Sequence, residues 1–345
     1  MTVELRGKRV LVMGLGRSGL GAARLCAELG AQVTGTDLRS GDSLGDGATE
    51  LAGLGVALVL GEHRSVDFVD ADVVVLSPGI PLDQPQVAAA IAAGVPVLGE
   101  LELAAGQLGC PVLAITGTNG KSTTTTFAGE LLRAAGQATF VGGNLGIPLS
   151  EGVLERRWDA AVVEVSSFQL ESAPGFHPRV AAMLNCTEDH LDRYPAFTAY
   201  RAAKERIFAN LGPGDVVVYN AADPIVREMV ADLPSRLLAF RASDVDGAHA
   251  REGVLVLREG DRTDEIDLSP FPVPGSHNVE NLMAAALGAR AMGVPVDVIR
   301  DTLPRLRGLP HRMEHVRTLD RVSWFNDSKA TNVASAAKTL EGAVG

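Results

Sequence analysis

Gly117, Thr118, Asn119, Gly120, Lys121, Ser122 and Thr123 stand in the order expected of a phosphate cradle. Glycines let backbone N–H groups turn toward an anion, and a helix beginning there adds a favourable dipole. Lys121 can reach the terminal phosphates of a nucleoside triphosphate, and Ser122 or Thr123 can ligate Mg²⁺. The usual pattern, G-x-x-x-x-G-K-[ST], would put a glycine where Ile115 stands, so this is a shorter form opening at Gly117. A plain Gly-rich turn with an exposed lysine is the alternative.

Other groups could complete such a site. Glu164 lies at the tip of the apolar run 158–165, and a carboxylate at a strand tip beside a phosphate turn suits Mg²⁺. Residues 185–194, NCTEDHLDRY, crowd His190, three carboxylates and Arg193 into one loop, which favours a site role over a structural one. Lys204 follows in a helix-like stretch, where a solvated face is the plain reading. Residues 275–278, GSHN, enter a further helix with Ser276 or Asn278 as cap. The polar clusters PHRME (310–314) and NDSKATN (326–332) are plain turns or nucleotide contacts.

Near the N-terminus Gly14, Gly16 and Gly19 form a G-x-G-x-x-G turn, with Asp37 at the end of the next strand. That turn would seat the pyrophosphate of a dinucleotide, and equally that of a UDP-sugar, on a helix N-terminus. Arg39 and Ser77 stand at strand ends where such a ligand would be met.

These groups need strand tips and helix starts to position them. Residues 8–100 alternate strands (8–13, 32–36, 56–60, 72–76, 96–98) with helices (19–29, 87–93). Continuous Val/Leu runs bounded by turn residues suit a buried parallel sheet. A second α/β unit opens at residue 111, with strands at 158–165, 180–184 and 215–219 and helices at 124–135, 197–211 and 278–292. Residues 237–274 are expected to form an antiparallel flap. The fold class is α/β: a Rossmann-like domain over 1–100, a central P-loop ATPase domain over 101–308, and the start of a third α/β domain over 309–345.

The 345 residues exceed one ordinary domain, and 46% hydrophobic content with 38 Gly and 18 Pro fits α/β architecture with many turns. A net charge of −11 leaves no global basic field for nucleic acid. Cys26, Cys110 and Cys186 are isolated, as in a reducing compartment. No apolar leader or membrane-length run is present, so a cytoplasmic monomer is expected.

The ordered motifs GTNGKST, EVSSFQLE, NCTEDHLDRY, YRAAKERI, GSHNVEN, PHRMEHV and NDSKATN resemble those of the Mur ligases of peptidoglycan synthesis across essentially the whole chain. The NDSKATN version is typical of the members that add D-glutamate. The resemblance implies ATP-dependent joining of D-glutamate to UDP-N-acetylmuramoyl-L-alanine through an acyl phosphate. It implies that residues 117–123, Asn278, Arg312, Asp327 and Lys329 bind ATP. Lys121, Glu164, His190 and Lys204 would be catalytic, and Ser122, Glu164, His190 and a carbamylated Lys204 would hold two Mg²⁺. Leu15, Gly16, Arg17, Ser18, Asp37, Leu38, Arg39, Ser77 and Asn144 would hold the UDP substrate. The family's third domain, with the amino-acid site, would lie mostly beyond Gly345, which leaves catalysis by the chain alone open, and its residues past about 310 are expected to be poorly packed or to lean on the central domain. A nicotinamide-dependent dehydrogenase, a P-loop kinase and a non-catalytic nucleotide-binding protein are the rival readings. The first leaves GTNGKST unexplained, and the second leaves the N-terminal unit unexplained.

Overall fold

A computed structural model describes residues 4–155, 158–330 and Ala337. The N-terminal part runs β1 (Arg9–Met13), α1 (Arg17–Glu28), β2 (Gln32–Asp37), α2 (Gly41–Leu44), α3 (Asp46–Gly53), β3 (Ala57–Leu60), α4 (Ser65–Val69), β4 (Val73–Leu76), α5 (Pro85–Ala92) and β5 (Val97–Gly99). α6 (Glu100–Gln107) leads into β6 (Val112–Thr116), α7 (Lys121–Ala134), β7 (Thr139–Gly143), α8 (Leu149–Glu155), β8 (Ala160–Glu164), α9 (Ser167–Glu171) and β9 (Val180–Met183). α10 (Phe197–Glu205), β10 (Val216–Asn220), α11 (Pro224–Val230), β11 (Arg236–Phe240), β12 (Gly247–Arg251), β13 (Val254–Glu259), β14 (Arg262–Asp267), α12 (Ser276–Ala291) and α13 (Val296–Thr302) follow. The hairpin β15 (Glu314–Leu319) and β16 (Val322–Asn326) comes last.

The first sheet is five-stranded, in the order β3-β2-β1-β4-β5, and every pairing is parallel. The second is nine-stranded, in the order β14-β13-β12-β11-β10-β9-β6-β8-β7. Its central strands are Val-, Ala- and Leu-rich and fully buried, as parallel strands covered on both faces require. In both sheets β1, β6 and β8 end their apolar runs at the edge where the chemical residues begin, the usual ligand edge of such sheets.

Three expectations need correcting. The region 237–274 is not all antiparallel: β11 pairs parallel with β10, and β12 parallel with β11, so the antiparallel part is confined to β12, β13 and β14. The apolar face of β11 is buried against the same core as β10, which draws it into the main sheet. α12 starts at Ser276 with Gly275 as N-cap and no side-chain cap; Asn278 Nδ2 instead donates to Pro274 O at 2.6 Å. Lys204 does not face solvent and is 1% exposed.

The two sheets share one apolar core through α1, α6 and α8, which bury Leu25, Leu101, Leu103, Leu149 and Val153 together. Among the described residues β15 and β16 pair only with each other, and Val316, Leu319, Val322, Trp324 and Phe325 are exposed on them. Thr331 and Asn332, which end the NDSKATN cluster, lie outside the described residues.

Candidate active site

The turn between β6 and α7 has the backbone that its glycines allow. Gly120 is in the left-handed region at φ +86°, and a Cβ there would stand 2.4 Å from Asn281 Oδ1. Only glycine meets both conditions without strain. The helix that follows opens with the run Ser122–Thr126, poor helix formers in isolation. It is held by tertiary packing against α12 and by Thr124 Oγ1 donating to Asn281 Oδ1 at 3.3 Å.

Asn185, after β9, clamps the turn from outside. Its Oδ1 accepts from Asn119 N at 2.8 Å, its Nδ2 donates to Asn119 O at 3.0 Å, and its carbonyl accepts from Thr118 N at 3.0 Å. The sequence marked the loop that Asn185 opens, but nothing in its side chain announced this role.

Two lysines converge on one carbonyl. Lys121 Nζ donates to Gly117 O at 3.0 Å and Thr118 O at 2.9 Å, and Lys204 Nζ donates to Gly117 O at 2.8 Å. Burial pushes the Lys204 ammonium down to about 7, with the Lys121 charge adding to the effect. Burial also lowers Lys121, against the opposing pull of Glu164. Lys204 lies 4.7 Å over the Tyr200 ring, and Tyr200 OH lies 3.1 Å from Thr118 Oγ1. Two lysine side chains beside a Gly-rich turn form a pocket that favours a polyanion.

Glu164, at the tip of β8, is 3% exposed. Asn144 Nδ2 donates to its Oε1 at 2.7 Å, while its Oε2 is buried with no partner among the described residues. Thr116 Oγ1, at the tip of neighbouring β6, is likewise buried and unpartnered. Orphaned oxygens at adjacent strand tips suit a hard cation. Thr116 escaped the sequence reading because a threonine ending an apolar strand carries no signal of its own. His190 adopts φ +54°, its ring packs on Phe168 at 5.0 Å, and its Nε2 lies 4.0 Å from Asp189 Oδ2. Among the described residues no three His, Cys, Asp or Glu side chains converge as a ready-made metal cluster. An ion here would take its remaining ligands from Ser122, at the start of α7, and from the nucleotide phosphates.

A cavity of about 500 Å³ continues from the turn, lined by Asn119, Gly120, Thr123, Asn278, Asn281, Arg312 and Asp327 among others. Arg312 Nε is buried there without a partner among the described residues. Asn220, Asp223 and Arg241 also line it and were not singled out from sequence. Lys329 does not line this cavity; its side chain is exposed, and its backbone N–H donates to His311 O at 3.2 Å.

The turn between β1 and α1 is built differently. A Cβ at Gly19 would fall 1.7 Å from Gly14 O, so the helix start packs directly on the strand end. Ser77 Oγ donates to Gly14 O at 2.7 Å. Asp37 Oδ2 accepts from Leu15 N at 2.7 Å, and Arg39 donates to both Asp37 oxygens at 2.9 and 2.8 Å. The Arg39 guanidinium holds the Asp37 carboxyl well below the usual carboxylate range. The acidic group that a dehydrogenase would offer to a ribose is thus already engaged. Gly16 caps α1 without a side-chain bond, Ser18 is half-buried, and Leu38 is 63% exposed. Arg17 reaches out to Gly146 O at 2.7 Å.

A family model described as the Mur ligase middle domain matches residues 115–289, and one described as the Mur ligase MurD-like N-terminal domain matches residues 8–99. UDP-N-acetylmuramoylalanine–D-glutamate ligase of Syntrophotalea carbinolica is 46% identical over 349 residues, 99% of this chain and 76% of the relative. The ligase of the same name from Anaeromyxobacter dehalogenans is 50% identical over 344 residues, 96% of this chain and 74% of the relative. Among solved structures, UDP-N-acetylmuramate–alanine ligase from Thermotoga maritima aligns with a TM-score of 0.57 at 22% identity, covering 97% of this chain and 77% of that one, a likeness of fold. Both sheets fall within these matches, which leave the dehydrogenase reading without support. The chain belongs to the Mur ligase family, alongside the UDP-N-acetylmuramoylalanine–D-glutamate ligases.

Proposed function

We propose that this chain joins D-glutamate to UDP-N-acetylmuramoyl-L-alanine at the expense of ATP, a step of peptidoglycan synthesis. The observation that carries the reading is the meeting of Lys121 and Lys204 on Gly117 O, within the electrostatic reach of Glu164, in a chain 46% identical to a ligase of that name. In this reading residues 1–100 take the UDP substrate, residues 101–308 take ATP, and residues from 309 begin a separate unit.

The L-alanyl carboxylate attacks the γ-phosphorus of ATP, giving an acyl phosphate and ADP. The D-glutamate amine then attacks the acyl carbonyl, the amide forms, a proton is lost and phosphate leaves. The first step brings two anions together. Lys121 offsets that repulsion from a fixed position inside the turn, where no reorganisation is needed as charge moves. Mg²⁺ supplies further charge neutralisation and orients the phosphates. Glu164 Oε2 and the Ser122 hydroxyl are the groups to hold it. A second ion would use His190 and Lys204, the latter as the carbamate formed when its neutral amine adds CO₂ and loses a proton. Burial keeps the Lys204 amine substantially neutral at pH 7, as that addition requires. Asn278, Arg312 and Asp327 would hold the nucleotide in the adjoining cavity, with Lys329 approaching from outside it. Leu15, Gly16, Arg17, Ser18, Leu38, Arg39 and Ser77 would hold the uridine diphosphate, and Asn144 the sugar or its acyl chain.

Phosphate release that requires ATP, UDP-N-acetylmuramoyl-L-alanine and D-glutamate together is the expected result with the purified chain. Release that continues without the muramoyl substrate would instead mark a simple nucleotidase.

A further inference from the structure

The loop at residues 143–147 touches both candidate sites. At one end Gly143 has φ +95°, and a Cβ there would stand 2.5 Å from Glu164 O, so the loop lies directly on the tip of β8. Gly143 N donates to Ile147 O at 2.7 Å and Asn144 N to Glu164 O at 2.9 Å, which close the loop into a rigid turn. From that turn Asn144 Nδ2 pins Glu164 Oε1 at 2.7 Å and leaves Oε2 as the free oxygen. At the other side Gly146 O accepts from Arg17, the first residue of α1 in the N-terminal sheet, at 2.7 Å. The chain of contacts is therefore Arg17, Gly146, Asn144, Glu164, and it crosses from the UDP-side turn to the carboxylate beside the phosphate turn.

We propose that Asn144 is a positioning residue for Glu164, and that the Arg17 tether on the 143–147 loop couples the N-terminal turn to the affinity for metal-bound nucleotide. The proposal rests on the reading of Glu164 as a metal-site carboxylate. A buried carboxylate rotates about its terminal torsion unless something fixes it. An amide bond to one oxygen fixes the plane and presents the other, the role that outer partners of metal ligands commonly play. Removing Asn144 leaves Glu164 free to turn its charge away. Removing the Arg17 contact loosens the hold of the N-terminal sheet on the loop that carries Asn144.

The test is titration calorimetry of the whole chain with MgATP, with no uridine compound present, on wild type, Asn144→Ala and Arg17→Met. Asn144→Ala is expected to weaken MgATP binding about tenfold or more. Arg17→Met, at an exposed position, is expected to weaken it about fivefold. ADP without metal serves as the second titrant, and its affinity should stay within about twofold of wild type in both variants. A thermal melt for each variant separates loss of fold from loss of positioning. If Asn144 and Arg17 act only by touching the muramoyl substrate, both variants will bind MgATP as wild type does, and the proposal falls. If wild type itself binds no MgATP, the functional reading falls first and takes the proposal with it.

Discussion

The two Gly-rich turns of this chain share a backbone plan and differ in their charge. The turn at β1 satisfies its polar groups locally: Asp37 caps Leu15 N, Arg39 neutralises Asp37, and Ser77 props Gly14 O. Its remaining cation, Arg17, is exposed and points across to Gly146. The turn at β6 instead concentrates two lysines on Gly117 O and leaves two oxygens without partners among the described residues, Glu164 Oε2 and Thr116 Oγ1. The first arrangement is stable without a ligand and suits holding a substrate by its diphosphate. The second carries uncompensated charge that a triphosphate and a cation would balance, which suits a place where bonds change. Under the proposed function the same supersecondary unit would serve as a handle in one sheet and as a reaction centre in the other.

Removing the charge at the second turn tests the contrast most severely. Lys121→Ala should lower the rate of phosphate release about a thousandfold, since a fixed cation at transferring phosphate is worth that order. The change removes the turn's own Lys–carbonyl bonds but no core contact. Activity above about a tenth of wild type would place the reaction elsewhere.

The clamp on that turn comes next. Asn185→Ala removes both side-chain bonds to Asn119 while keeping the bond from Thr118 N to the Asn185 carbonyl. Loss of a buried amide that holds backbone groups costs about 2 kcal/mol, or roughly thirtyfold in ATP affinity. The first turn is held by its own side-chain bonds, from Leu15 N to Asp37 Oδ2 and from Ser77 Oγ to Gly14 O, so UDP affinity should be unchanged in the same variant. Equal losses at both sites would show that the two turns are one structural unit.

Much of this contrast was legible in the sequence, and the illegible part has a common cause. Strand tips and Gly-rich turns follow from local rules, so residues 14–19, 117–123 and Glu164 could be placed from residue type and spacing. The burial of Lys204 could not, because it depends on Tyr200 beneath it and on Gly117, 87 residues away. Thr116, Asn185 and Arg241 escaped for the same reason: each acquires its position from strands adjacent only in space. The region 237–274 differs from its expected form because its Gly-, Asp- and Arg-rich composition suits hairpins, yet β11 buries Leu238, Ala239 and Phe240 in the parallel sheet. Neither chain length nor composition shows which neighbour a strand will choose.

Acidification separates the two turns by pH. Asp37 is held below its ordinary value in the fold, first by the Arg39 side chain and then, against desolvation, by backbone N–H groups. In the unfolded chain it titrates near about 3.9. Its contribution to stability is therefore fully present above that value and is lost as pH falls toward the depressed folded one. Asp37→Asn should melt below wild type at pH 7, and the gap should close progressively below about pH 4. A gap that stays constant down to pH 2.5 would mean that Asp37 contributes packing rather than charge. No parallel closure is expected for Lys121→Ala, whose cation keeps its charge throughout that acid range.

The smallest expected effect concerns how the second turn holds its buried Lys204. Tyr200 offers two contacts: its hydroxyl to Thr118 Oγ1 and its ring face to Lys204. Tyr200→Phe removes the first and keeps the second. Thr118 Oγ1 still donates to Thr187 O at 3.1 Å, so the turn stays anchored and the KM for ATP should rise only about fivefold, the equivalent of about 1 kcal/mol. Tyr200→Leu removes the ring as well, and with it the aromatic face that packs against Lys204 at 4.7 Å. If Lys204 depends on that ring, kcat should fall in Leu but not in Phe, while KM changes similarly in both. Equal kcat in the two variants would show that Gly117 O alone holds Lys204, and the turn at β6 would then be as locally self-sufficient as the turn at β1.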